Sequence, residues 1–288
     1  MPRETGGVTI VGPGRVGLSL AADLSVSRAL GPVSVAGQGP EPPAFLSHLS
    51  GVSWLAEPRP SGPFLLFAVP DDALPEAIEA WARLVSGPGA PVLPDVVAHT
   101  SGARDASVLA PFSRIGTAVV AWHPLVAVAG PGPDAFRGAS IGLEGDETGL
   151  RFGERLAASV GGRPLRLSAG GRGAYHAAAV FASNYLVACL GVALDLLREA
   201  SGGRVGEADL APLARSALRN VERHGLGHGA TGPLSRGDLS TIDGHLEALD
   251  PPRAALYRAL GRELLDLVRE GLDPATAAAL EDRLAETP

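Results

Sequence analysis

The sequence predicts an α/β fold: an N-terminal Rossmann domain with a doubly wound, mostly parallel sheet, followed by an all-α C-terminal domain. Continuous apolar runs alternate with helical patterns in the first half, which is typical of a parallel sheet covered on both faces. A G-x-G-x-x-G motif follows the first apolar run. A glycine-rich stretch lies at 170–173, and no convincing strand pattern follows it. We therefore predict a dinucleotide-binding domain at 1–170 and a helical domain at 171–288.

The individual elements follow from the period of their apolar residues. Strands are predicted at 8–11, 33–36, 64–69, 96–99, 117–122, 140–143 and 164–167. Helices are predicted in the first domain at 15–24 and 72–85. The second domain has helical patterns at 174–200, 210–224, 239–249, 253–270 and 274–287.

Composition excludes several classes of protein. A net charge of −7 offers no general attraction for nucleic acid. No apolar run reaches the ~20 residues that cross a bilayer, so no membrane span is expected. The single cysteine, Cys189, cannot form an internal disulfide, and we expect a cytoplasmic protein. His224, His228 and His245 lack the spacing of a metal site, so no metal is predicted.

The glycine motif is Gly12-Pro13-Gly14-Arg15-Val16-Gly17, directly after a predicted strand and at the start of a helix. In such a motif the first glycine permits the tight turn and the second lets backbone N–H groups approach a pyrophosphate. The third lets helix and strand pack closely. The helix N-terminus adds partial positive charge. We predict a dinucleotide-binding turn here.

The choice between NADP and NAD depends on the end of the second strand. NAD enzymes usually place Asp or Glu there, and NADP enzymes Arg or Ser. This chain has Gly37-Gln38-Gly39-Pro40, which carries neither signal. Arg15 is the nearest candidate cation for a 2′-phosphate, so the sequence favours NADP and leaves NAD open.

Three further segments end predicted strands and are expected at the cofactor crevice, since ligands bind outside the carboxyl ends of parallel strands. Val69 and Pro70 are predicted to contact the cofactor. Ser101, in the turn after the strand at 96–99, is a candidate contact for the nicotinamide or a substrate carboxylate. His123, in a His-Pro turn, is a candidate proton relay or substrate contact.

With these motifs in place, the chain resembles a bacterial Rossmann-like family defined by a domain of unknown function, number 2520. That family is related to pyrroline-5-carboxylate reductase-like, ketopantoate reductase-like and hydroxyisobutyrate dehydrogenase-like proteins. The resemblance implies a Rossmann domain, a helical C-terminal domain and a homodimer built on the long helix. It rests on Gly12–Gly17, Val69-Pro70-Asp71-Asp72, His99-Thr100-Ser101-Gly102, His123-Pro124-Leu125, Tyr175–Ala179, Ser183-Asn184-Tyr185, Thr231-Gly232-Pro233 and Arg236-Gly237-Asp238.

The chain departs from these relatives in one respect. Many of them use a lysine from the start of the long helix as general acid, whereas all 24 basic residues here are arginine. His176 lies near that position and can donate a proton close to neutral pH. Tyr175 and His123 are alternative proton donors.

Four other polar residues are candidate substrate contacts. His176, Val180 and Asn184 are spaced at i, i+4 and i+8, which predicts that they share one helix face. Thr231, Arg236 and Asp238 belong to a polar loop between helices. Arg236 suits bidentate binding of a carboxylate, and Asp238 either orients it or caps the next helix.

Two hypotheses of function follow. In the first, the chain is an NAD(P)-dependent oxidoreductase that reduces a C=O or C=N bond of a small acidic metabolite, such as a 2-keto, ketopantoate-like or imino acid. In the second, it is a nucleotide-binding Rossmann protein without redox activity, either a sensor or a repurposed enzyme. The second hypothesis stays open because the chain lacks a lysine and because the end of its second strand carries neither the NAD nor the NADP signal.

Overall fold

A computed structural model describes residues 6–87 and 93–285, with one eight-stranded sheet. The strands are β1 (Val8–Val11), β2 (Val33–Ala36), β3 (Val52–Leu55), β4 (Phe64–Phe67), β5 (Val96–His99), β6 (Ala118–Pro124), β7 (Ser140–Gly145) and β8 (Arg163–Arg166). Their order is β3-β2-β1-β4-β5-β6-β7-β8, and every neighbouring pair is parallel except β6–β7. The predicted Rossmann-type sheet is confirmed. Because β1 lies between β2 and β4, the chain reverses its direction of winding there, as doubly wound sheets do.

The central strands are apolar throughout because both faces of the sheet are covered. All four residues of β1, β2, β4 and β5 are buried. Four helices accompany the strands: α1 (Arg15–Ser27), α2 (Leu74–Ser86), α3 (Ala110–Ser113) and α4 (Glu147–Ser159). α4 was not predicted; its N-cap is Asp146, whose carboxylate accepts a hydrogen bond from the N–H of Gly149. Strand β3 was also missed, because three of its four residues are partly or fully exposed at the sheet edge.

The chain divides into two compact units, residues 1–184 and 185–288. The domain boundary at 170 stays a prediction; in this division the first turns of the long helix fall in the same unit as the sheet. The reason is that Arg172 and Tyr175 are buried and bond to the strands. In the second unit, the helices are α6 (Leu186–Ser201), α7 (Glu207–Gly229), α8 (Leu239–Ala248), α9 (Pro251–Val268) and α10 (Pro274–Leu284). Its buried core comprises Leu234, Ile242, Leu265, Val268, Leu280 and Leu284.

The long helix is interrupted where the sequence predicts a continuous one. It consists of α5 (Arg172–Val180), a π-helical turn at Phe181–Tyr185 and then α6. A π turn has a wider repeat than an α-helix, so it breaks the 3.6-residue register on which the predicted stripe of His176, Val180 and Asn184 depends. Asn184 is exposed, and its Oδ1 accepts a hydrogen bond from the Ser183 hydroxyl.

Two predicted helices of the second unit also differ in detail. The pattern at 210–224 ends where α7 is kinked, at Gly225 with a φ of 76°. The pattern at 274–287 becomes α10, which ends at Leu284; residues 286 and 287 lie outside the described part of the chain.

Within residues 6–87 and 93–285, one helix, Arg172–Ser201, has the length and apolar composition to cross a membrane. The sequence predicts no membrane span, because no uninterrupted apolar run reaches ~20 residues. Helices of water-soluble proteins pass the same criterion, so this single helix is weak support for a membrane span.

Candidate functional site

The glycine turn after β1 has the backbone that its residues predict. Gly12 adopts a φ of 111°, which L side chains rarely do, and a Cβ there would collide with the carbonyl of Ala68. A Cβ on Gly17 would collide with the carbonyl of Gly12, so helix α1 packs directly on the turn. In contrast, a Cβ on Gly14 would meet nothing within 4 Å. The turn is therefore closed toward the protein and open at Gly14.

A cavity of about 600 Å³ extends from this turn and suits a dinucleotide. No side chain caps the N-terminus of α1, so its first N–H groups remain available to an anion. The exposed Arg15 makes no hydrogen bond or ion pair with any residue that the structure describes. The cavity is lined by, among others, Gly12, Pro13, Gly14, Gly37, Gln38, Val69, Pro70 and Glu76.

His99, at the end of β5, holds the next turn together. Its buried Nδ1 accepts a hydrogen bond from the N–H of Ser101 at 3.2 Å, which leaves the proton on Nε2. Nε2 then donates to the carbonyl of Asp105 at 3.1 Å. Burial lowers the pKa of His99 to about 4, so the ring is neutral at physiological pH. Ser101 is buried, and its hydroxyl accepts the N–H of Arg104 at 3.0 Å.

Tyr175 connects helix α5 to strands β6 and β7 through hydrogen bonds. Its hydroxyl donates to the carbonyl of His123 at 2.7 Å and accepts the N–H of Gly142 at 3.1 Å. His123 and Gly142 are opposite each other in the β6–β7 ladder, so the hydroxyl bridges the two strands. Gly142 must lack a side chain, because its Cβ would lie 2.6 Å from the Tyr175 oxygen. Burial raises the pKa of Tyr175.

His123 and His176 lie on either side of Gly102. A Cβ on Gly102 would be 2.5 Å from His176 Nδ1 and 2.8 Å from His123 Nε2, so both imidazoles are directed at one place. Their ring centroids are 5.8 Å apart. Nδ1 of His176 is buried without a hydrogen-bond partner. Burial, with help from the charges of His176 and Arg172, lowers the pKa of His123 to about 4.

Arg172 is a site residue that the sequence reading missed. Its guanidinium is buried, forms an ion pair with Glu144 at 2.8 Å, and contacts the carbonyl of Ser101 at 3.4 Å. One of its nitrogens, Nη2, is buried without a partner. The sequence pattern of the surrounding Gly-Gly-Arg-Gly segment predicts only a domain boundary there. The sequence feature that could have identified Arg172 as a site residue is its position as an arginine in an otherwise small and apolar segment.

Three candidate substrate contacts belong to the second unit. Thr231 and Arg236 are exposed, the latter in a short 3-10 helix at Leu234–Arg236. Asp238 caps helix α8: its carboxylate accepts hydrogen bonds from the N–H and hydroxyl of Thr241 at 3.1 and 2.6 Å. These bonds lower the pKa of Asp238. Among residues 6–87 and 93–285, no group of three or more His, Cys, Asp or Glu side chains is placed to hold a metal.

Comparison with known proteins gives two family models. Residues 139–264 match DUF2520, a domain of unknown function, and residues 53–124 match a Rossmann-like domain. No curated protein sequence matches the chain.

Several solved structures have the same fold. A candidate NADP oxidoreductase from Bacteroides fragilis is 21% identical, with a TM-score of 0.69 over 91% of this chain and 98% of that one. Pyrroline carboxylate reductase from Plasmodium falciparum, with NADP bound, is 11% identical and has a TM-score of 0.56 over 98% and 99%. An imine reductase from Aspergillus terreus, in complex with NADPH4, is 17% identical and has a TM-score of 0.58 over 96% and 99%.

Proposed function

We propose that this chain is an NAD(P)-dependent oxidoreductase that reduces a C=O or C=N bond of a small acidic metabolite. The proposed substrate classes are 2-keto, ketopantoate-like and imino acids. One observation carries the proposal: His123 and His176 converge at the carboxyl ends of β5 and β6, on the sheet edge where the glycine turn follows β1. The likeness in fold to NADP oxidoreductases and an imine reductase supports it.

The glycine turn fits a pyrophosphate, because Gly14 leaves open space and the first N–H groups of α1 are uncapped. Arg15 would hold a 2′-phosphate, and we therefore favour NADP over NAD. When bound, the nicotinamide supplies a hydride. For a carbonyl substrate we assign the proton donor to His176, whose Nδ1 has no competing partner. Arg236 and Ser101 remain the proposed carboxylate contacts, with Asn184, Thr231 and Asp238 as further candidates.

The test combines calorimetry with an activity panel. Titration with NADPH and NADH measures binding, and absorbance at the reduced nicotinamide band measures turnover of 2-keto, ketopantoate-like and imino acids. We expect binding and turnover, with His176→Ala lowering turnover of the keto acids far more than NADPH affinity. Binding without turnover of any panel member would favour the alternative, a nucleotide-binding protein without redox activity.

We also propose a homodimer formed through the helical second unit. Apolar side chains on its helices are exposed, including Val187 at 67% and Leu213 at 69%. Contiguous exposed apolar patches mark association sites, and in this proposal these side chains form one such patch. Sedimentation at several concentrations measures the mass, and Val187→Asp is expected to give monomers. A wild-type chain that is monomeric at all concentrations contradicts this proposal.

A further inference from the structure

The hydrogen bonds of Tyr175 determine which nitrogen of His123 carries the proton. The Tyr175 oxygen and the His123 carbonyl oxygen are 2.7 Å apart, a distance at which two oxygens need a hydrogen between them. The only hydrogen available is the phenolic one, so Tyr175 donates there. His123 Nδ1, 3.2 Å from the same hydroxyl, must then be the donor to it. Neutral His123 is thereby fixed with its proton on Nδ1 and its lone pair on Nε2.

The lone pair of His123 faces the place where His176 also points. Nε2 is the atom of His123 nearest to a Cβ built on Gly102, at 2.8 Å, and it has no hydrogen-bond partner among the described residues. His99, one strand away, has the opposite tautomer, because its Nδ1 accepts the N–H of Ser101. Two neutral imidazoles at adjacent strand ends are therefore fixed in different forms by different backbone partners. His123 offers a hydrogen-bond acceptor to a ligand, and it offers no donor.

Charged groups of both signs act on the His123 ring: His176, Arg172 and Asp71. Arg172 forms an ion pair with Glu144, in which the two atoms are 2.8 Å apart, and its charge still lowers the pKa of His123. The carboxylate of Asp71, which also acts on His99, is the one of these three groups whose charge favours a cation at this ring.

We infer that His123, held by Tyr175, is a specificity-determining residue that selects a protonated C=N substrate by accepting the hydrogen bond of its N–H group. This inference rests on the proposed function and narrows its substrate class. A carbonyl oxygen brought to Nε2 would place its own lone pairs against the lone pair of that nitrogen, so no hydrogen bond could form. An iminium N–H, in contrast, donates a hydrogen bond to Nε2. Hydride addition to the iminium carbon moves the C=N π electrons to nitrogen and leaves a neutral amine. No proton from the protein is consumed in that step, and the nicotinamide is oxidised by two electrons.

The first arm of the experiment needs no substrate. Two-bond ¹H–¹⁵N correlation spectra of the ¹⁵N-histidine-labelled full chain at pH 7 distinguish protonated from unprotonated ring nitrogens. We expect His123 with the proton on Nδ1 and His99 with the proton on Nε2, so that His99 is the internal control. In Tyr175→Phe we expect His123 to lose its fixed tautomer while His99 keeps its own. A wild-type His123 protonated on Nε2 overturns the inference whatever the activity.

The second arm compares a cyclic imine that carries a carboxylate with the 2-keto acid of equal carbon number, both with NADPH. We expect kcat/KM to favour the imine by about tenfold or more, the value of one hydrogen bond to a charged group. His123→Phe should raise KM for the imine, and His123→Gln, which keeps an acceptor oxygen, should restore part of it. Equal or better use of the keto acid overturns the inference and leaves the proposed function standing. NADPH binding with no turnover of either compound overturns both.

Discussion

Removing the hydroxyl of Tyr175 should destabilise the first unit by about 2–4 kcal/mol. Tyr175→Phe leaves the buried N–H of Gly142 and the carbonyl of His123 without their partner. An unsatisfied buried group costs about 1–3 kcal/mol, and two backbone groups are affected. The third partner of the hydroxyl, His123 Nδ1, can change its tautomer and adds no such cost. We expect the sum to stay below the upper limit, because the two groups face each other across the β6–β7 ladder and can partly re-pair.

Tryptophan fluorescence during urea unfolding measures this loss specifically. The three tryptophans of the chain, Trp54, Trp81 and Trp122, all lie in the first unit. The midpoint of their transition should fall in Tyr175→Phe while its slope stays constant. Tyr257→Phe is the matched control, since that hydroxyl bonds to His245 in the second unit. An equal or smaller shift in Tyr175→Phe than in Tyr257→Phe would refute the bridging role.

Three other predictions concern the cofactor turn and pH. Gly17→Ala should abolish NADPH binding in calorimetry and lower stability, because its Cβ meets the backbone, whereas Gly14→Ala should weaken binding without changing the urea midpoint. Arg15→Ala should weaken NADPH binding by about tenfold and leave NADH binding unchanged, the mark of a 2′-phosphate contact; equal losses would contradict that role. The folded pKa of His99 is depressed from 6.5 to about 4, so the unfolded chain binds its proton first. The contribution of His99 to the free energy of unfolding should therefore be fully retained above pH 6.5 and fall by about 3 kcal/mol as the pH drops to 4; His123, whose pKa is also lowered to about 4, adds a loss over the same range. Denaturation at pH 7.5 and 4.5 measures this loss, which should shrink in His99→Gln and persist in His48→Gln, where an exposed ring is replaced.

Local sequence patterns predicted the parts of the site that depend on backbone shape. The glycine turn after β1 has a signature within six residues, and Gly12 and Gly17 are required by contacts with Ala68 and with the turn itself. The strands at 8–11, 33–36 and 96–99 were predicted at the observed bounds, since buried parallel strands are continuously apolar. Strand β3 escaped prediction because an exposed edge strand of four residues carries too little pattern.

The roles of the histidines could not be predicted, because each depends on partners distant in the chain. His99 and His123 have the same sequence environment, a strand end followed by a turn. One is held by a turn N–H two residues away, and the other by the hydroxyl of Tyr175, 52 residues away. Arg172 joins the site through Ser101, 71 residues earlier, and through Glu144. The π turn that contains Asn184 could not be predicted, because the apolar periodicity of this segment is that of an ordinary helix.

By itself, therefore, the sequence determined the Rossmann-type sheet, the dinucleotide turn and a helical second half, because each follows from residues close together in the chain. The tertiary structure alone decided which ring nitrogens carry protons, which arginine is buried, and which side chains meet at Gly102. Those properties depend on burial and on hydrogen bonds between strands and helices, and such contacts exist only once the chain has folded.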